Sequence, residues 1–377
     1  MDTIDLATGV PDIGSPPSAA AAATEAINRG DTRYVGAAGI APLREAVSRS
    51  LLEERGLSYE PSQIMVTAGA KLSVFCVLSA LVGPGSAVVL PVPHYGGYRG
   101  QIERLGGRIV GLGTTPDTGY KLTRAQLRDA LDDDTRVVLL NSPANPSGAV
   151  YSADELAGLA DVVVNHSSAT IVSDEIYARF VYDGRPAPSL GSLGPEVLAR
   201  TVTIDGVSKA YGMTGWRVGY AAGPRAVIDV ARRVHAGLCN CAPSISQWAA
   251  WGALTGAPRD HHDPRRHQEL RDLSHAVVDR WRGIRTVRPS GAIYQLIELV
   301  PEELGIATGE EASFFESWTS RARVSVAHDN RFGAPVFGRL TFSVPRPELE
   351  EGLRRLSVAL EQLADTNQLS ARRGTAR

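Results

Sequence analysis

The segment SKAYGMTGWRVG, residues 208–219, sets one lysine, Lys209, in a glycine-punctuated loop with Arg217 eight residues behind it. A lysine that needs only solvation would not require such a setting. A free lysine has a pKa of about 10.4 and is a poor nucleophile at neutral pH, so covalent use requires desolvation or formation of an imine. The guanidinium of Arg217 is planar and permanently charged, which suits a phosphate group. The segment therefore predicts a lysine that bonds to a phosphate-bearing cofactor.

Two further segments end at or just beyond predicted strands, where open α/β sheets place their ligands. In VTAGAKLSV, residues 66–74, the amide N–H groups of Ala70 and Lys71 would begin a helix and form an anion site, to which the Lys71 ammonium adds charge. In NSPANPSG, residues 141–148, two prolines fix the backbone so that the carboxamide of Asn145 projects from a rigid loop. Taken alone, each segment is equally compatible with an ordinary turn.

A carboxylate lies at the end of the next predicted strand. SDEIY, residues 173–177, places Asp174 there with Tyr177 close by, although a carboxylate in such a position more often forms a cap or a surface ion pair. Together, and in this order, the four segments meet the requirements of pyridoxal phosphate (PLP) chemistry. These requirements are a lysine for the imine, a carboxylate that keeps the pyridine nitrogen protonated, and a site for the phosphate dianion.

The bulk composition is ordinary for a soluble globular protein, and 377 residues are more than one compact core usually holds, so we expect two domains sharing a cleft. The net charge of −2 gives no strong field for nucleic acid or for an anionic membrane. No stretch approaches the roughly 18 apolar residues of a membrane span, and the acidic start does not resemble a signal peptide. Three cysteines fit a reducing compartment, so we expect a cytoplasmic protein with no nucleic-acid or membrane partner.

Short apolar runs alternate with helical patterns from about residue 41 to residue 222. The runs are rich in valine and isoleucine, which predicts buried strands at 86–92, 135–143, 169–176, 200–208 and 217–223. Helical spacing is predicted between them at 41–55, 70–82, 95–105, 123–131 and 152–165. Strand and helix in alternation imply an α/β fold with a mainly parallel sheet covered on both faces.

The order of elements changes after TGAP, residues 255–258. The charged stretch 259–281 predicts a long solvent-exposed helix at a domain boundary. Beyond it a smaller α+β unit is predicted, with strands at 291–299, 323–329 and 338–344 and a helix that has Leu349, Leu353, Leu356, Leu360 and Leu363 on one face. We therefore expect three parts: residues 1–30 as an N-terminal segment joining the small domain, residues 31–257 as the large PLP-binding domain, and residues 258–377 as the small C-terminal domain.

The segments SKAYGMTGWRVGY, SDEIY and NPSG, at these distances, resemble those of class I and II aminotransferases of PLP fold type I, especially the aspartate/aromatic branch. The resemblance runs from GVPD, residues 9–12, to GRLTFSV, residues 338–344, which is nearly the whole chain. It implies pyridoxal 5'-phosphate as the cofactor, and an amino acid and a 2-keto acid as substrates. The amino group would be transferred in two half-reactions, with pyridoxamine phosphate between them.

The resemblance also implies the catalytic residues. Lys209 would form the imine with the cofactor and, once released by the substrate, move a proton between the substrate Cα and the cofactor C4′. Asp174 would pair with the pyridinium nitrogen, because an opposite charge raises the pKa of that nitrogen. Tyr177 and Asn145 would hydrogen-bond the phenolic oxygen of the cofactor.

Other residues would bind the cofactor or the substrate. Tyr95 of PHYGGY occupies the position of the aromatic residue that stacks on the cofactor ring, with His94 beside it as an alternative. The phosphate would be held by Ala70, Lys71, Ser208 and Arg217. Arg339 would clamp the α-carboxylate of the substrate bidentately, and Asn145 and Gly9 would also contact the substrate.

The resemblance implies a homodimer with shared active sites. Tyr34 of RYVGAAG would reach the phosphate in the neighbouring subunit, and LCNCAPSIS, residues 238–246, would line the entrance of the partner's site. One position departs from the family pattern: Gly206 stands three residues before the lysine, where many relatives carry a phosphate-binding serine.

The substrate side chain is expected to be polar or cationic, and to carry a guanidinium or an ammonium group. In VAHDNRFG, residues 326–333, His328 and Asp329 stand where relatives usually have Pro-Gly. A carboxylate about ten residues before Arg339 would face the distal end of the pocket and accept bidentate bonds. The alternative is that Asp329 pairs with Arg331 or points to solvent.

Other PLP reactions on the same fold stay open as alternatives, namely those of a lyase, a cyclase or an oxidase of an amino acid, since they differ only after Cα has lost its proton. A regulator that senses PLP would carry a DNA-binding domain in front, and the resemblance already begins at Gly9, so we expect an enzyme.

Two residue clusters resemble metal sites but do not predict one. His261, His262 and His267 lie in a basic stretch without a cysteine or carboxylate frame, so we expect a surface segment there. Cys239 and Cys241 lack the second pair that structural zinc requires. We therefore expect no metal.

Overall fold

A computed structural model of the chain describes residues 2–256, 263–328 and 330–374. The strands are β1 (Ile4–Asp5), β2 (Ile64–Thr67), β3 (Ala87–Val92), β4 (Arg108–Gly113), β5 (Thr135–Asn141), β6 (Thr170–Asp174), β7 (Thr201–Gly206), β8 (Gly219–Ala222), β9 (Ile284–Arg285), β10 (Tyr294–Leu299), β11 (Val324–Ser325), β12 (Ala327–His328) and β13 (Phe337–Thr341). The helices are α1 (Pro17–Asn28), α2 (Ala41–Arg55), α3 (Ala70–Leu81), α4 (Gly97–Arg104), α5 (Arg124–Ala130), α6 (Ala153–His166), α7 (Pro195–Leu198), α8 (Val207–Ala210), α9 (Arg225–Cys239), α10 (Ser244–Gly256), α11 (Pro264–Val278), α12 (Pro301–Leu304), α13 (Glu311–Ala322) and α14 (Arg346–Gly374).

Seven strands form one sheet in the order β2-β8-β7-β6-β5-β3-β4. Neighbouring strands are parallel except at β8, which runs antiparallel to both β2 and β7. The register sets Asn141 opposite Asp174, and Asp174 opposite Ile204, so the carboxyl ends of β5, β6 and β7 meet at one edge. The prediction of a mainly parallel sheet is confirmed, and this is the edge at which such sheets bind ligands.

Helices cover both faces of this sheet. Because side chains alternate along a strand, Val137 and Leu139 of β5 pack on one face with α3 and α9, while Val138 and Leu140 pack on the other face with α6. All four side chains are at most 2% exposed, which explains why the strand has no polar alternation in its sequence. Apolar packing on both faces holds the sheet in place, and with it the edge at which the polar residues lie.

A second sheet of four antiparallel strands, in the order β12-β13-β10-β9, lies in the C-terminal part. Its core receives Trp318 from α13, whose ring meets that of Trp281 edge-on at 5.3 Å between centroids. Leu353 and Leu356 of α14 pack into the same core. These elements confirm the predicted smaller α+β unit, although the strand expected at 323–329 is two short strands, β11 and β12.

The N-terminal segment is shared between the two cores. Strand β1 pairs in parallel with β11, with Ile4 opposite Val324, and Leu6 is buried in the C-terminal core. Helix α1 packs instead against α10, where Gly252 is so close that an added Cβ would lie 2.4 Å from the carbonyl oxygen of Ser18. The domain limits at residues 30 and 257 therefore stay predictions, and α1 lies with the large sheet.

The charged stretch after residue 259 is less exposed than its sequence predicts. Residues 257–262, which include His261 and His262, lie outside the described residues. In α11, His267 is 1% exposed and hydrogen-bonds the hydroxyl of Ser343, so the expectation of a surface position for this histidine is wrong. Arg271 is fully buried and pairs with Asp183 at 2.8 Å. The inward face of α11 therefore carries polar side chains, and the buried charge of Arg271 has a partner there.

Helices α1, α9, α10 and α13 and strand β4 are not among the predicted elements. Helix α1 buries only alanines, Ala19, Ala22, Ala23 and Ala26, and such a face has weak amphipathic contrast. Its neighbour α10 likewise packs through small residues. In the part of the chain that the structure describes, every helix is too short or too polar to span a bilayer.

Candidate active site

A cavity of about 360 Å³ opens at the carboxyl edge of β5, β6 and β7. It is lined by most of the residues that the sequence singles out: Gly9, Ala70, Lys71, Tyr95, Asn145, Asp174, Tyr177, Ser208, Lys209, Arg217 and Arg339. Two predicted residues are not brought there. Tyr34 is 84% exposed on a loop, and Asp329 lies outside the described residues.

Lys209 lies in the short helix α8, directly after β7, and its side chain enters the cavity. The ammonium group donates a hydrogen bond to the carbonyl of Gly9 and stands 5.6 Å from the ring centre of Tyr177. Burial, together with the positive charges of Arg339 and Arg217, lowers the pKa of Lys209 to about 8, while the charge of Asp174 opposes this shift. The amine is therefore uncharged in a useful fraction of molecules near neutral pH, as a nucleophilic lysine requires.

Asp174 ends β6 at the bottom of the cavity and is buried. Its carboxylate accepts hydrogen bonds from the hydroxyl of Tyr98 at 2.6 Å and from the backbone N–H of Ile176 at 3.2 Å. Burial raises the pKa of Asp174 to about 6, with Asp205 and Glu175 adding to the rise and the two hydrogen bonds opposing it. A buried carboxylate of this kind gains most from a cationic partner in the cavity.

Arg339 enters the cavity from β13 and is 9% exposed. Its Nη1 donates to Oδ1 of Asn145 at 3.0 Å, and its Nη2 donates to the carbonyl of Ala7 at 2.6 Å. The guanidinium lies over the ring of Tyr294, 4.2 Å from its centre. Within the described part of the chain, no group accepts a hydrogen bond from the buried Nε of Arg339, so one donor of the fork is left for a ligand.

Two tyrosines form the wall between Asp174 and Arg339. The hydroxyls of Tyr177 and Tyr294 hydrogen-bond each other at 2.6 Å, and the rings meet edge-on. Burial raises the pKa of both phenols, so both are neutral at physiological pH. Gly9 passes so close that an added Cβ would lie 2.1 Å from the hydroxyl oxygen of Tyr294, and only glycine fits there.

The opposite end of the cavity is an anion cradle. Helix α3 begins at Ala70, and the first amide N–H groups of a helix have no partners within the helix. Gly69 has a φ of 97°, and an added Cβ there would lie 2.4 Å from Nη2 of Arg217. An added Cβ at Gly219 would likewise lie 2.1 Å from the backbone nitrogen of Ala70. The glycines let the guanidinium, the helix N-terminus and the buried Ser208 approach the same space.

The structure resolves which aromatic residue faces the cavity. Tyr95 lines it and contacts Tyr98 edge-on at 5.2 Å between ring centroids, whereas His94 points away and lines a separate, water-sized cavity. Nδ1 of His94 is bonded to the carbonyl of Tyr95, and burial lowers the pKa of this histidine. His94 therefore does not compete for the ring-facing position.

Gly206 has a spatial reason for being glycine. It is paired with Gly219 across β7 and β8, and an added Cβ would lie 2.8 Å from both the Cα of Gly219 and the carbonyl oxygen of Val218. A serine would not fit against this backbone. Position 206 therefore has no hydroxyl to offer a phosphate, although many relatives are expected to carry a serine there.

Sequence reasoning missed three residues of the site: Tyr98, Asn141 and Tyr294. Asn141 ends β5; its side chain donates to the carbonyl of Asp174 at 2.8 Å and accepts from the N–H of Asn145 at 2.7 Å. Its position at a strand end beside NPSG was an available signal. Tyr294 lies far along the chain and its place becomes evident only from β10 packing.

Comparison with known proteins gives one consistent family. The family model described as aminotransferase class I and II matches residues 1–356. The aspartate aminotransferase of Rhizobium meliloti (strain 1021) is 35% identical over 370 residues, which cover 96% of this chain and 90% of that protein. A probable aspartate/prephenate aminotransferase of Aquifex aeolicus is 33% identical over 368 residues, covering 96% and 92% of the two chains.

Solved structures agree with this result. A crystal structure of the aspartate aminotransferase from Rhizobium meliloti superposes with a TM-score of 0.90 at 34% identity, covering 96% of this chain and 92% of that one. An aromatic aminotransferase from Pyrococcus horikoshii superposes with a TM-score of 0.89 at 30% identity, covering 96% of each chain. Similarity at this level extends over the whole site, including the C-terminal unit that carries Arg339.

Proposed function

The chain belongs to the class I and II aminotransferases, and we propose that it transfers the amino group of aspartate to a 2-keto acid. It is a PLP-dependent transaminase of fold type I in the aspartate/aromatic branch. One observation carries the proposal: a single cavity joins the amine of Lys209, the carboxylate of Asp174 and the guanidinium of Arg339. These are the groups needed to hold the cofactor, to support its charge and to bind an amino acid.

The residues present fit PLP. The glycine-lined cradle at the start of α3 keeps the helix N-terminus and Arg217 open to a phosphate dianion. Asp174 lies buried across the cavity, without a cationic side chain bonded to its carboxylate, and so suits a pyridinium nitrogen. The side chain of Tyr95 provides a ring-stacking face beside it. We assign the phosphate to Ala70, Lys71, Ser208 and Arg217.

When bound, PLP supplies a ring that accepts the electron pair left on the substrate Cα. Lys209 would hold the cofactor through its amine and, once the amino group of the substrate has displaced that amine, would take up the proton from Cα. Asp174 holds a proton on the ring nitrogen, since its charge stabilises the cationic form of that nitrogen. The lowered pKa of Lys209, about 8, places the amine near the operating pH, where a general base is most effective.

Arg339 binds the α-carboxylate of the substrate in this proposal. The unpartnered Nε and the fork of Nη atoms allow the bidentate geometry that Arg forms with carboxylates. Tyr177 and Asn145 orient the cofactor through its phenolic oxygen, with Asn145 already held by Arg339. The rings of Tyr177 and Tyr294, joined through their hydroxyls, form an apolar wall between the two charged ends.

The expectation of a guanidinium-bearing or ammonium-bearing substrate is not supported. It rested on Asp329, which lies outside the described residues, and relatives that match along nearly the whole chain are named aspartate or aspartate/prephenate aminotransferases. We therefore propose aspartate in place of an arginine-like substrate.

We further propose a cytoplasmic homodimer with shared active sites. Tyr34 is 84% exposed and cannot contact the cavity of its own chain, which supports a role across a subunit interface. Leu238, within the segment expected to line the partner's entrance, is also exposed at 53%. All three cysteines, Cys76, Cys239 and Cys241, are free, which suits a reducing compartment.

The test uses the purified protein loaded with PLP. Aspartate, glutamate, phenylalanine and arginine are added singly, and pyridoxamine phosphate is measured by chromatography after denaturation. Aspartate should give the fastest conversion, and a 2-keto acid added afterwards should restore PLP. Release of ammonia, or consumption of oxygen, in place of this reversal would favour a lyase or an oxidase and would contradict transamination.

Lys209→Ala is the matched control. It should retain PLP without a covalent bond, because the cradle and Asp174 are intact, yet give no turnover. Borohydride reduction of the wild type followed by peptide mapping should label Lys209, and a label on Lys71 in its place would overturn the assignment.

A further inference from the structure

Behind Asp174, outside the cavity, lies a buried cluster of three charges. Nη1 of Arg55 pairs with Oε2 of Glu175 at 3.1 Å, and Nη2 of the same guanidinium forms a short bond to Oδ2 of Asp205. The side chains of Arg55, Glu175 and Asp205 are 10%, 4% and 6% exposed. The mechanism above uses none of them.

The cluster connects the two strand ends that carry the reacting groups. Glu175 follows Asp174 directly, and its backbone N–H donates to the carbonyl of Ile204 at 2.9 Å. Asp205 is the next residue of β7, four positions before Lys209, and its Oδ1 accepts from the N–H of Gly206 at 2.6 Å. Arg55 reaches both from the last turn of α2. One side chain from a distant helix therefore links the end of β6, at Asp174, to the end of β7, which leads to Lys209.

Among the described residues, the other groups that bond to the two carboxylates are polar but uncharged. Glu175 accepts from the hydroxyls of Ser173 and Ser189, and Asp205 accepts from the hydroxyl of Tyr220. The nearby Arg179 is occupied by Glu54 and Tyr211. Within the described part of the chain, Arg55 is thus the cation paired to both carboxylates. With it the cluster has a net charge of −1, and without it −2.

We propose that Arg55 is a positioning residue of the reaction, which neutralises one of the two carboxylates behind Asp174 and ties the ends of β6 and β7 together. It acts through Asp174, which needs to be anionic to hold a proton on the cofactor nitrogen. The inference rests on the proposed PLP-dependent function, and it concerns a residue that lies outside the cavity wall.

The direction of the effect follows from the charges around Asp174. Burial already raises the pKa of Asp174, and the charges of Asp205 and Glu175 raise it further. An additional uncompensated negative charge would raise it again. The titratable and charged groups that face Asp174 or the cluster are Tyr59, Tyr95, Tyr98, Tyr177, Lys209, Tyr211, Arg55, Glu175, Asp205 and Tyr220.

The experiment measures the dissociation constant of PLP from about pH 5 to about pH 7 by equilibrium dialysis, in the wild type, Arg55→Met and the double variant Arg55→Met/Glu175→Gln. In the wild type, affinity should fall as the pH drops through the range in which Asp174 takes up a proton. In Arg55→Met this fall should move up by about one pH unit. The double variant has the wild-type net charge of −1 and should return toward the wild-type profile.

If Arg55 had only a structural role, the double variant would depart further from the wild-type profile than Arg55→Met does, because the double variant has lost still more hydrogen bonds. An unmoved profile in a folded Arg55→Met protein, or a double variant that departs further, would overturn the proposal. Should Arg55→Met fail to fold, Glu175→Gln alone still decides: it removes one negative charge while Arg55 stays, and the fall in affinity should move to lower pH. No binding of PLP by the wild type would instead contradict the proposed function.

Discussion

The carboxamide oxygen of Asn145 accepts a hydrogen bond of 3.0 Å from Nη1 of Arg339, which joins the loop after β5 to strand β13. One residue comes from the large sheet and the other from the small antiparallel sheet. A ligand held by both therefore draws on both sheets at once. The carboxylate of the substrate is the group whose chemistry matches this pair.

Replacement of Arg339 by lysine should impair substrate binding more than cofactor binding. Lysine keeps the positive charge but loses the planar fork, so one of two bonds to the α-carboxylate is lost. We expect kcat/KM for aspartate to fall about a hundredfold, mainly through KM, as for a desolvated charge pair worth about 2–5 kcal/mol. Steady-state kinetics and PLP absorbance measure the two effects separately. Arg346→Lys, at an arginine whose side chain is 60% exposed, is the control and should leave both unchanged.

Asp174→Asn should change how the stability of the cofactor-free protein depends on pH. The folded pKa of Asp174, about 6, lies above its ordinary value of 3.8. The folded state therefore binds the proton more tightly, and this stabilisation is complete below about pH 4 and is lost as the pH rises through about 6. The Asp174→Asn variant has no carboxyl group to titrate at this position. As the pH rises from about 4 to about 6, the wild type should therefore lose up to about 3 kcal/mol of its free energy of unfolding relative to the variant.

Urea unfolding at about pH 4.5, 6 and 7.5 measures this difference. The exposed Asp133 offers a control, since Asp133→Asn removes one negative charge from the turn before β5. Parallel pH profiles for wild type and Asp174→Asn would contradict the raised pKa.

Tyr34→Phe and Lys209→Ala should complement each other if Tyr34 acts in the neighbouring subunit. Each variant alone is expected to be inactive or strongly impaired. Mixed after subunit exchange, hybrid dimers would contain one site with both Tyr34 and Lys209 intact, so activity should recover to as much as about a quarter of the wild type. Mass spectrometry confirms exchange, and exchange without recovery would contradict a shared site.

Gly206→Ala should destabilise the protein although the residue lies in extended backbone. The added Cβ would lie 2.8 Å from backbone atoms of Gly219 and Val218, which cannot move without opening the β7–β8 pair. We expect a loss of about 1–3 kcal/mol in the free energy of unfolding. Gly215→Ala, in the turn between α8 and β8, is the matched control; no atom lies within 4 Å of the added Cβ, and stability should change by at most about 0.5 kcal/mol. Equal effects of the two substitutions would be inconsistent with this explanation.

Much of the site could be predicted because its chemistry lies at strand ends. Asp174, Asn145 and Lys209 each follow a run of buried apolar residues, and such runs are evident in a single sequence. Parallel strands then bring their carboxyl ends to one edge without any further information. Local pattern and global fold agree at these positions.

The remainder depended on packing between distant segments. Tyr98 and Tyr294 are aromatic residues in ordinary apolar patterns, and their hydroxyls find Asp174 and Tyr177 only when α4 and β10 are in place. In α11 the error had a different cause. The stretch is rich in arginine and histidine, but Arg271 and His267 lie on the same face as Leu270 and are buried with partners. A charge count gives no information about such a face.

The segment at residues 4–12 has a consequence for the order in which the site is completed during synthesis. Residues 4 and 5 are held by β11, and the N–H of Asp12 donates to the hydroxyl of Ser343 at 2.8 Å. Gly9, between them, forms part of the cavity wall against Lys209. The Asp12 end of this segment is therefore held in place only after Ser343 has been made, long after the sheet bearing Asp174 and Lys209 can form. A chain that terminates before β13 would carry Lys209 on a finished sheet, with the Gly9 segment held by β11 but not by Ser343, and with Arg339 missing.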